Sequence, residues 1–320
     1  MEYEKIPTIL TADELLDRAF RKPAIVKHEK RNKKRADEEF IRSTSKSLSD
    51  KLVYMVKQFP TIENLPVFYQ DMTDLLFGID KMRRSLGALS WAANQVMTLG
   101  NEYAWRIRRS EDSSDVRKQG TARIASVIHQ IDDELHFLNE ARNTLRKLPD
   151  IRDEFTIVVA GFPNVGKSSF IRHISSAEPE VAEYAFTTKQ IVLGHCQIGR
   201  DRIQIVDTPG ILDRPAHERN YIEHQALSAI TNVADVILFI IDASEACGYP
   251  IAEQQNLLEE LRRIMDDVPI EVVVNKSDLK SLDGYYNMST ASGEGIEEIV
   301  DLLLTYRESS PSSPLVHIEE

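Results

Sequence analysis

Cysteine is scarce in this 320-residue chain, which contains only Cys196 and Cys247. Two cysteines cannot form a disulfide framework, and these two lack the spacing of metal ligands, so the pattern favours a reducing compartment. The N-terminus has no basic segment followed by an apolar core, and we expect no signal peptide. No run approaches the roughly 18 uninterrupted apolar residues of a membrane span. We therefore expect a cytoplasmic protein without a membrane partner.

Charge is unevenly distributed along the chain, whose formal net charge is −12. Residues 1–150 contain 26 Lys and Arg against 23 Asp and Glu, whereas the remainder contains 13 against 28. The acidic remainder would repel a polyphosphate backbone, so any nucleic acid should contact the first part. Candidates for that contact are the basic run at 27–35 and the arginines at 106–109 beside Trp105. A solvated helix face is the simpler interpretation of both.

The first 150 residues predict helices and no strands. Thr11 and Glu14 have the spacing of a capping box, which would start a helix at residue 12. Apolar residues recur at intervals of three and four from Ile124 to Leu148, which predicts one helix of about seven turns. We expect an N-terminal all-α helical bundle over residues 1–150.

The sequence changes character after residue 150. Four apolar, β-branched runs predict buried strands at 155–162, 202–207, 236–242 and 270–275. Helical segments separate them, and this alternation predicts an α/β domain with a mostly parallel sheet and helices on both faces. We place this domain at 151–306 and a flexible, Ser- and Pro-rich tail at 307–320.

The first predicted strand leads into GFPNVGKS (161–168), which fits the phosphate-loop pattern G-x-x-x-x-G-K-S. Its glycines allow backbone N–H groups to surround a phosphate at a helix N-terminus. Lys167 would supply a charge for the β- and γ-phosphates, and Ser168 a hydroxyl for Mg²⁺. A chance match is the alternative, and the strand–loop–helix context argues against it. The predicted phosphate-loop residues are Gly161, Phe162, Pro163, Asn164, Val165, Gly166, Lys167, Ser168 and Ser169.

NKSD (275–278) ends the last predicted strand and matches the guanine-reading pattern N-K-x-D. Guanine presents N1–H and its N2 amine as adjacent donors, and the carboxylate of Asp278 can accept both. Adenine lacks this pair, so guanosine nucleotides should be preferred by about 10³-fold or more. Asn275 should brace the base and the phosphate loop, and the stem of Lys276 should cover the ring.

STASGEG (289–295) resembles the turn whose backbone N–H meets guanine O6, and it contributes Ser289 and Thr290 to the predicted site. Thr290 stands where alanine is usual, which is a small departure because the contact comes from the main chain. The motifs occur at strand ends in the order expected of a GTPase, so the use of ATP is the weaker alternative.

Two further segments would contact Mg²⁺ and the γ-phosphate. Asp207, in VDTPG (206–210), should hold Mg²⁺ through a water, and the N–H of Gly210 should touch the γ-phosphate. Thr188, in YAFTT, would sense both with its hydroxyl, and Thr187 is the close alternative; a plain surface loop is the simpler interpretation. The predicted metal ligands are Ser168, Thr188 and Asp207.

Together GFPNVGKSS, YAFTTK, DTPG, NKSD and STASGEGI resemble the Obg-related GTPases. The segments at 6–22 and 117–151 resemble the N-terminal helical domain of the nucleolar GTP-binding protein family. This resemblance implies binding of GTP and GDP, slow Mg²⁺-dependent hydrolysis, and association of the helical domain with the large ribosomal subunit or its precursor rather than with DNA. A chain that stops soon after its GTPase domain, and lacks the glycine-rich domain of Obg, resembles the short archaeal members.

Ile211 stands where many GTPases have a water-orienting glutamine, and the resemblance implies that a hydrophobic residue is common there. Phosphoryl transfer depends on positioning and charge neutralisation, which do not strictly need that side chain. Some relatives with an asparagine at the position of Asn164 coordinate K⁺, so we hypothesise this role for Asn164; bracing of its loop is the alternative. The predicted catalytic residues are Lys167, Thr188, Gly210 and Asn164. A GTPase with a non-ribosomal target, such as one in RNA modification or signalling, and a GTP-binding scaffold with negligible turnover are the alternative functions.

Overall fold

A computed structural model of the chain describes residues 3–28, 33–148, 150–152, 154–175, 180–183, 190–198, 201–207, 233–265 and 268–309. The chain divides into two compact units. One contains residues 1–65 and 76–146, and the other contains 66–75 and 147–320. The segment at 66–75, which lies in the predicted helical half, therefore groups with the second unit. The domain boundaries at 150 and 306 stay predictions.

The first unit is built from helices. The described helices of the N-terminal half are α1 (Ala12–His28), α2 (Lys33–Gln58), α3 (Val67–Phe77, which begins in the segment at 66–75), α4 (Ile79–Arg109), α5 (Ser113–His129) and α6 (Asp132–Leu145). The predicted capping box opens α1, because the N–H of Thr11 donates to Glu14 Oε2 at 3.1 Å and the N–H of Glu14 donates to Thr11 Oγ1 at 3.3 Å. Among the described residues this half contains no strand, which confirms the all-α prediction.

Close packing of α2 against α4 forms the centre of the helical unit. A Cβ at Gly100 would clash with the Cβ and the hydroxyl of Ser45, so the two backbones approach closely only because residue 100 is glycine. The Ser45 hydroxyl is buried and donates to Ile41 O at 2.8 Å. Asp37, also buried, accepts from Ser113 Oγ at 2.8 Å and lies 2.9 Å from Arg117 Nε. The helical core therefore contains a hydrogen-bonded hydroxyl at Ser45 and a buried carboxylate that is ion-paired with Arg117.

The prediction of a single helix from Ile124 to Leu148 is wrong. Helix α5 ends at His129, α6 begins at Asp132, and Ile131 between them has non-helical dihedrals of φ −107° and ψ 14°. Ile131 is nevertheless buried, so the apolar stripe continues through the break and conceals it. The acidic residues at 132–134 then occupy the first turn of α6, where the helix dipole favours negative charge. Helix α6 ends at Leu145, before the predicted end at Leu148.

A seven-stranded sheet forms the second unit. Its strands are β1 (Phe155–Ala160), β2 (Glu180–Glu183), β3 (Gln190–Ile198), β4 (Asp201–Asp207), β5 (Val236–Asp242), β6 (Ile270–Asn275) and β7 (Tyr286–Asn287), in the order β2-β3-β4-β1-β5-β6-β7. The pairs from β4 to β7 are parallel, and the two pairs that involve β3 are antiparallel. The described helices that follow the strands are α7 (Lys167–Ile174), α8 (Ile251–Ile264) and α9 (Ile296–Ser309).

All residues of β1 and β5 are buried, so layers cover both faces of the sheet. The mostly parallel α/β fold is therefore confirmed, and all four predicted strands are present. Parallel strands bring their carboxyl ends to one edge, where Val159 pairs with Asp207 and Asp242 pairs with Asn275. Ligands bind at this edge in open α/β sheets.

Helix α9 extends to Ser309, past the predicted boundary at 306, and residues 310–320 lie outside the described residues. No helix in the described ranges is long and apolar enough to cross a membrane.

Candidate nucleotide-binding site

The loop at 161–166 connects β1 to α7 through unusual backbone conformations. The φ angles are 133° at Gly161, 63° at Asn164 and 106° at Gly166. A Cβ at Gly161 would meet the carbonyl oxygen of Ile240, and one at Gly166 would meet the amide of Asn275. Only glycine fits at these two positions, and asparagine is among the residues that tolerate the left-handed region at 164. The sequence pattern therefore reflects the shape of this loop.

Lys167 extends back along the loop that precedes it. Its Nζ donates to Gly161 O at 2.8 Å and to Phe162 O at 2.9 Å, and the residue is only 7% exposed. The ammonium group is therefore held inside the curve of the loop before any anion binds. This position at the start of α7 combines the lysine charge with the positive end of the helix dipole.

Ser168 and Asp207 bring two oxygen groups together beside the loop. Ser168 Oγ donates to Asp207 Oδ2 at 2.8 Å, and Asp207 is fully buried at the end of β4. A hydroxyl and a carboxylate are hard oxygen ligands of the kind that Mg²⁺ prefers. The donor set of these two predicted metal ligands therefore fits Mg²⁺.

Asn275 joins the end of β6 to two other segments. Its Nδ2 donates to Val165 O at 2.7 Å and lies 3.1 Å from Thr290 Oγ1, while its Oδ1 accepts from the N–H of Thr290 at 2.9 Å. The side chain is fully buried. The structure thus places the predicted phosphate loop, Asn275 and Thr290 in direct contact.

The Asp278 carboxylate lies on the open side of this arrangement. Its Oδ1 accepts from Ser289 Oγ at 2.6 Å, and the residue is exposed whereas Ser289 is buried. Ser289 therefore orients the carboxylate and leaves it accessible. The described residues bring together both guanine-reading segments of the sequence prediction.

Four residues named in the sequence analysis lie outside the described residues: Thr187, Thr188, Gly210 and Ile211. The roles assigned to them stay predictions.

Sequence reasoning missed an ion pair at this edge. Asp242 ends β5 and is fully buried, and its Oδ2 lies 2.6 Å from Lys276 Nζ. Burial alone would raise the pKa of Asp242, but hydrogen bonds from Lys276, Ser244 and the N–H of Cys247 outweigh it and lower the pKa below its usual value. The signal was available, because Asp242 ends an apolar strand in the same way as Asp207.

A ring contact beside the phosphate loop was also missed. Phe162 is buried, and its ring centroid lies 4.4 Å from that of Tyr249, in the segment between β5 and α8. The Tyr249 carbonyl accepts from Gln254 Nε2 at 2.9 Å, which fixes this segment to α8. The loop at 161–166 is therefore supported on the side of β5 as well as by Asn275.

Comparisons with known proteins cover both parts of the chain. Residues 3–152 match the NOG1 N-terminal helical domain, and residues 156–276 match the 50S ribosome-binding GTPase family. An uncharacterized protein of Methanocaldococcus jannaschii is 43% identical over 288 residues, which are 87% of this chain and 81% of that protein.

Nucleolar GTP-binding protein 1 of Drosophila melanogaster is 36% identical over 75% of this chain, and this chain spans 37% of the length of that protein. A crystal structure described as nucleolar GTP-binding protein 1 of Plasmodium falciparum is 33% identical, covers 51% of this chain and 91% of its own, and has a TM-score of 0.46. The family matches and the identities to the two curated relatives agree with the site geometry. The chain belongs to the nucleolar GTP-binding protein family of Obg-related GTPases.

Proposed function

We propose that the chain is a GTP-dependent switch that hydrolyses GTP slowly and acts in assembly of the large ribosomal subunit. The observation that carries this proposal is the buried Asn275 side chain, which joins the guanine-reading end of β6 to the phosphate loop at Val165. One site can therefore read the base and hold the phosphates. Residues 156–276 match a family of ribosome-binding GTPases, which supports the ribosomal target. We also propose that the chain acts in the cytoplasm and does not bind DNA.

The loop geometry supports the proposed phosphate-binding and metal-binding roles. Lys167 would exchange its bonds to the Gly161 and Phe162 carbonyls for the β- and γ-phosphates, since its ammonium already lies inside the loop. Ser168 and Asp207 would hold Mg²⁺, which when bound supplies charge neutralisation to the phosphates. For Ser168→Ala, titration with GDP in Mg²⁺ and in EDTA should show that most of the metal-dependent gain in affinity is lost. An undiminished gain would remove Ser168 from the metal site.

Thr188 and Gly210 would bind the γ-phosphate and release it on hydrolysis, which gives the switch its two states. Co-sedimentation with large ribosomal subunits tests the target. We expect binding with a non-hydrolysable GTP analogue and much weaker binding with GDP. Binding to neither form would favour a non-ribosomal target. Absence of multiple-turnover phosphate release in the presence of ribosomes would favour a scaffold that hardly hydrolyses GTP.

The helical unit would supply the contact with ribosomal RNA. Arg108 is already paired with Glu38, at 2.6 Å, and Arg106 with Glu102, at 2.7 Å. Arg109 instead lies 4.0 Å from the ring centroid of Trp105, which is 51% exposed. An exposed indole with a guanidinium over it can stack on an unpaired base and contact a phosphate.

Lys33, Lys34 and Arg35 offer a second basic position at the start of α2. Residues 29–32 of the predicted basic run at 27–35 lie outside the described residues. Lysine and arginine side chains can neutralise backbone phosphates of RNA. Neutralising these three residues should lower the affinity for ribosomal RNA. A plot of the logarithm of the binding constant against the logarithm of the salt concentration should also become less steep, by about 1 for each phosphate that is no longer neutralised. An unchanged slope would exclude them from the interface.

K⁺ at Asn164 is a further part of the proposal. The left-handed backbone at residue 164 gives asparagine a purely conformational reason to be there, with φ 63°. Asn164→Gly separates the two roles, because glycine keeps the backbone conformation and removes the amide. If Asn164 ligates K⁺, GTP hydrolysis in KCl should exceed that in NaCl for the natural chain and not for Asn164→Gly. Equal rates in both salts for the natural chain, with and without ribosomes, would refute the K⁺ role.

A further inference from the structure

The ion pair between Asp242 and Lys276 connects two neighbouring strand ends. Asp242 is the last residue of β5 and pairs in register with Asn275, the last residue of β6. Lys276 follows directly, with a left-handed φ of 59°, and its side chain returns across the strand ends to place Nζ 2.6 Å from Asp242 Oδ2. The lysine of the guanine-reading motif is therefore anchored at its tip by a residue outside that motif.

The Asp242 carboxylate is itself held rigidly. Its Oδ1 accepts from the N–H of Ser244 at 2.9 Å, and its Oδ2 accepts from the N–H of Cys247 at 2.8 Å in addition to Lys276. Gln254 of α8 then brackets the backbone of the same residue, because its Oε1 accepts from the N–H of Asp242 at 2.8 Å and its Nε2 donates to Asp242 O at 3.0 Å. A fully buried carboxylate with this set of donors stays charged and does not rotate.

Burial makes the pair sensitive to loss of either partner. Asp242 is fully buried and the Lys276 side chain is 23% exposed, so the ammonium is partly shielded from water. A lysine side chain has several rotatable bonds and loses substantial conformational freedom when it is ordered. Asp242 fixes the Lys276 side chain when the protein folds, so the loss of its conformational freedom does not weaken the binding of a ligand.

We propose that Asp242 is a positioning residue for the guanine nucleotide, which it serves by fixing the stem of Lys276 at the place where the base binds. This inference rests on the proposed function, because it requires that the site bind guanine nucleotides. Asp242 does not read the base itself; Asp278 does. Loss of Asp242 therefore lowers the affinity for GDP and GTP alike and leaves the preference for guanine over adenine intact.

A double-mutant cycle tests the inference. Asp242→Asn retains the shape and the acceptor for Ser244, but it removes the charge and the oxygen that accepts from Cys247; Lys276→Met retains an apolar stem without the ammonium. Each single variant should bind GDP about tenfold more weakly, the cost of leaving one flexible side chain unordered. The double variant should bind GDP no more weakly than Lys276→Met alone, because Asp242 acts on the nucleotide only through Lys276. Additive losses would overturn the inference, because Asp242 would then act independently of Lys276.

Glu271→Gln is the matched control. Glu271 lies on β6, as Asn275 does, and its carboxylate accepts from Tyr306 Oη at 2.6 Å. This substitution neutralises a hydrogen-bonded carboxylate in the same sheet, away from the site. The affinity for GDP should therefore stay within about twofold of that of the natural chain. A loss equal to that of Asp242→Asn would show a general effect of the sheet and overturn the inference.

Two variants of Lys276 carry the test if Asp242→Asn does not fold. Lys276→Arg keeps a cation within reach of Asp242, and Lys276→Met does not, while both leave the bonds from Ser244 and Cys247 in place. Lys276→Arg should retain most of the natural affinity for GDP, whereas Lys276→Met should bind GDP about tenfold more weakly. If Lys276→Met binds GDP as tightly as the natural chain does, the inference is overturned. If the natural chain binds neither GDP nor GTP, the proposed function itself is refuted, which is a distinct outcome.

Discussion

Replacing Asn275 by alanine should separate stability from nucleotide binding. The substitution removes the donor to Val165 O at 2.7 Å and the acceptor of the Thr290 N–H at 2.9 Å. A buried polar group that loses its partner costs about 1–3 kcal/mol, so the free energy of unfolding should fall by about 2–4 kcal/mol. The phosphate loop and the loop at Thr290 also lose their common support, so the affinity for GDP should fall at least about tenfold, or ~1.4 kcal/mol.

Asn287→Ala provides the matched control for this prediction. The Asn287 side chain also makes three hydrogen bonds, in its case all to backbone atoms, with Leu282 N, Leu282 O and Tyr285 O, at 2.8–3.0 Å. Urea unfolding should show a loss of stability in both variants, smaller in Asn287→Ala because its hydrogen bonds are partly exposed. Calorimetric titration with GDP should show a loss of affinity only in Asn275→Ala. If Asn275→Ala is destabilised but binds GDP within about twofold of the natural chain, the hydrogen bonds from Asn275 to Val165 and Thr290 do not support the site.

Other predictions concern each unit separately. On α4, Gly100→Ala should destabilise the helical unit by about 1–3 kcal/mol because its Cβ has no room. Gly87→Ala on the same helix meets nothing within 4 Å and should stabilise by about 0.5–1 kcal/mol; thermal unfolding that ranks the two equally would contradict this packing. Asp278→Asn should abolish most of the preference for GTP over ATP, on the order of 10³-fold, and calorimetry that finds it intact would refute the guanine assignment. The hydrogen bond to Glu271 and burial raise the pKa of Tyr306 to about 12, so this bond stabilises the fold below about pH 10 and its contribution is lost as the pH rises through 12. Urea unfolding of Tyr306→Phe should show a smaller loss of stability over that window, and an identical loss would contradict this role.

The four buried strands could be predicted because their signal is local. Strands β1 and β5 are buried on both faces, so they appear in the sequence as continuous β-branched runs. The phosphate loop could be predicted for a related reason, since Gly161 and Gly166 occupy positions where no side chain fits. The family assignment and the fold class are accordingly confirmed.

The remaining differences arise from tertiary contacts. Strand β7 contains only Tyr286 and Asn287, and it is defined by its pairing with β6 rather than by any pattern of its own. The break at Ile131 is invisible to periodicity because that residue is buried on the same stripe as its neighbours. The sequence marks Asp242 as a carboxylate at a strand end, but its pairing with Lys276, 34 positions away, depends on two strand ends meeting in space.

The segments predicted to read guanine and to bind phosphate share one buried amide, that of Asn275. Asn275 contacts Val165 in the phosphate loop and Thr290 in the loop predicted to face the base. His173 Nε2, on the helix that follows the phosphate loop, lies within 2.6 Å of Thr290 O. Because these contacts are made within the fold itself, folding rather than binding meets the cost of ordering the two loops. A ligand that engages only the phosphate loop therefore still depends on the sheet edge at Asn275, and this dependence couples the two halves of the site.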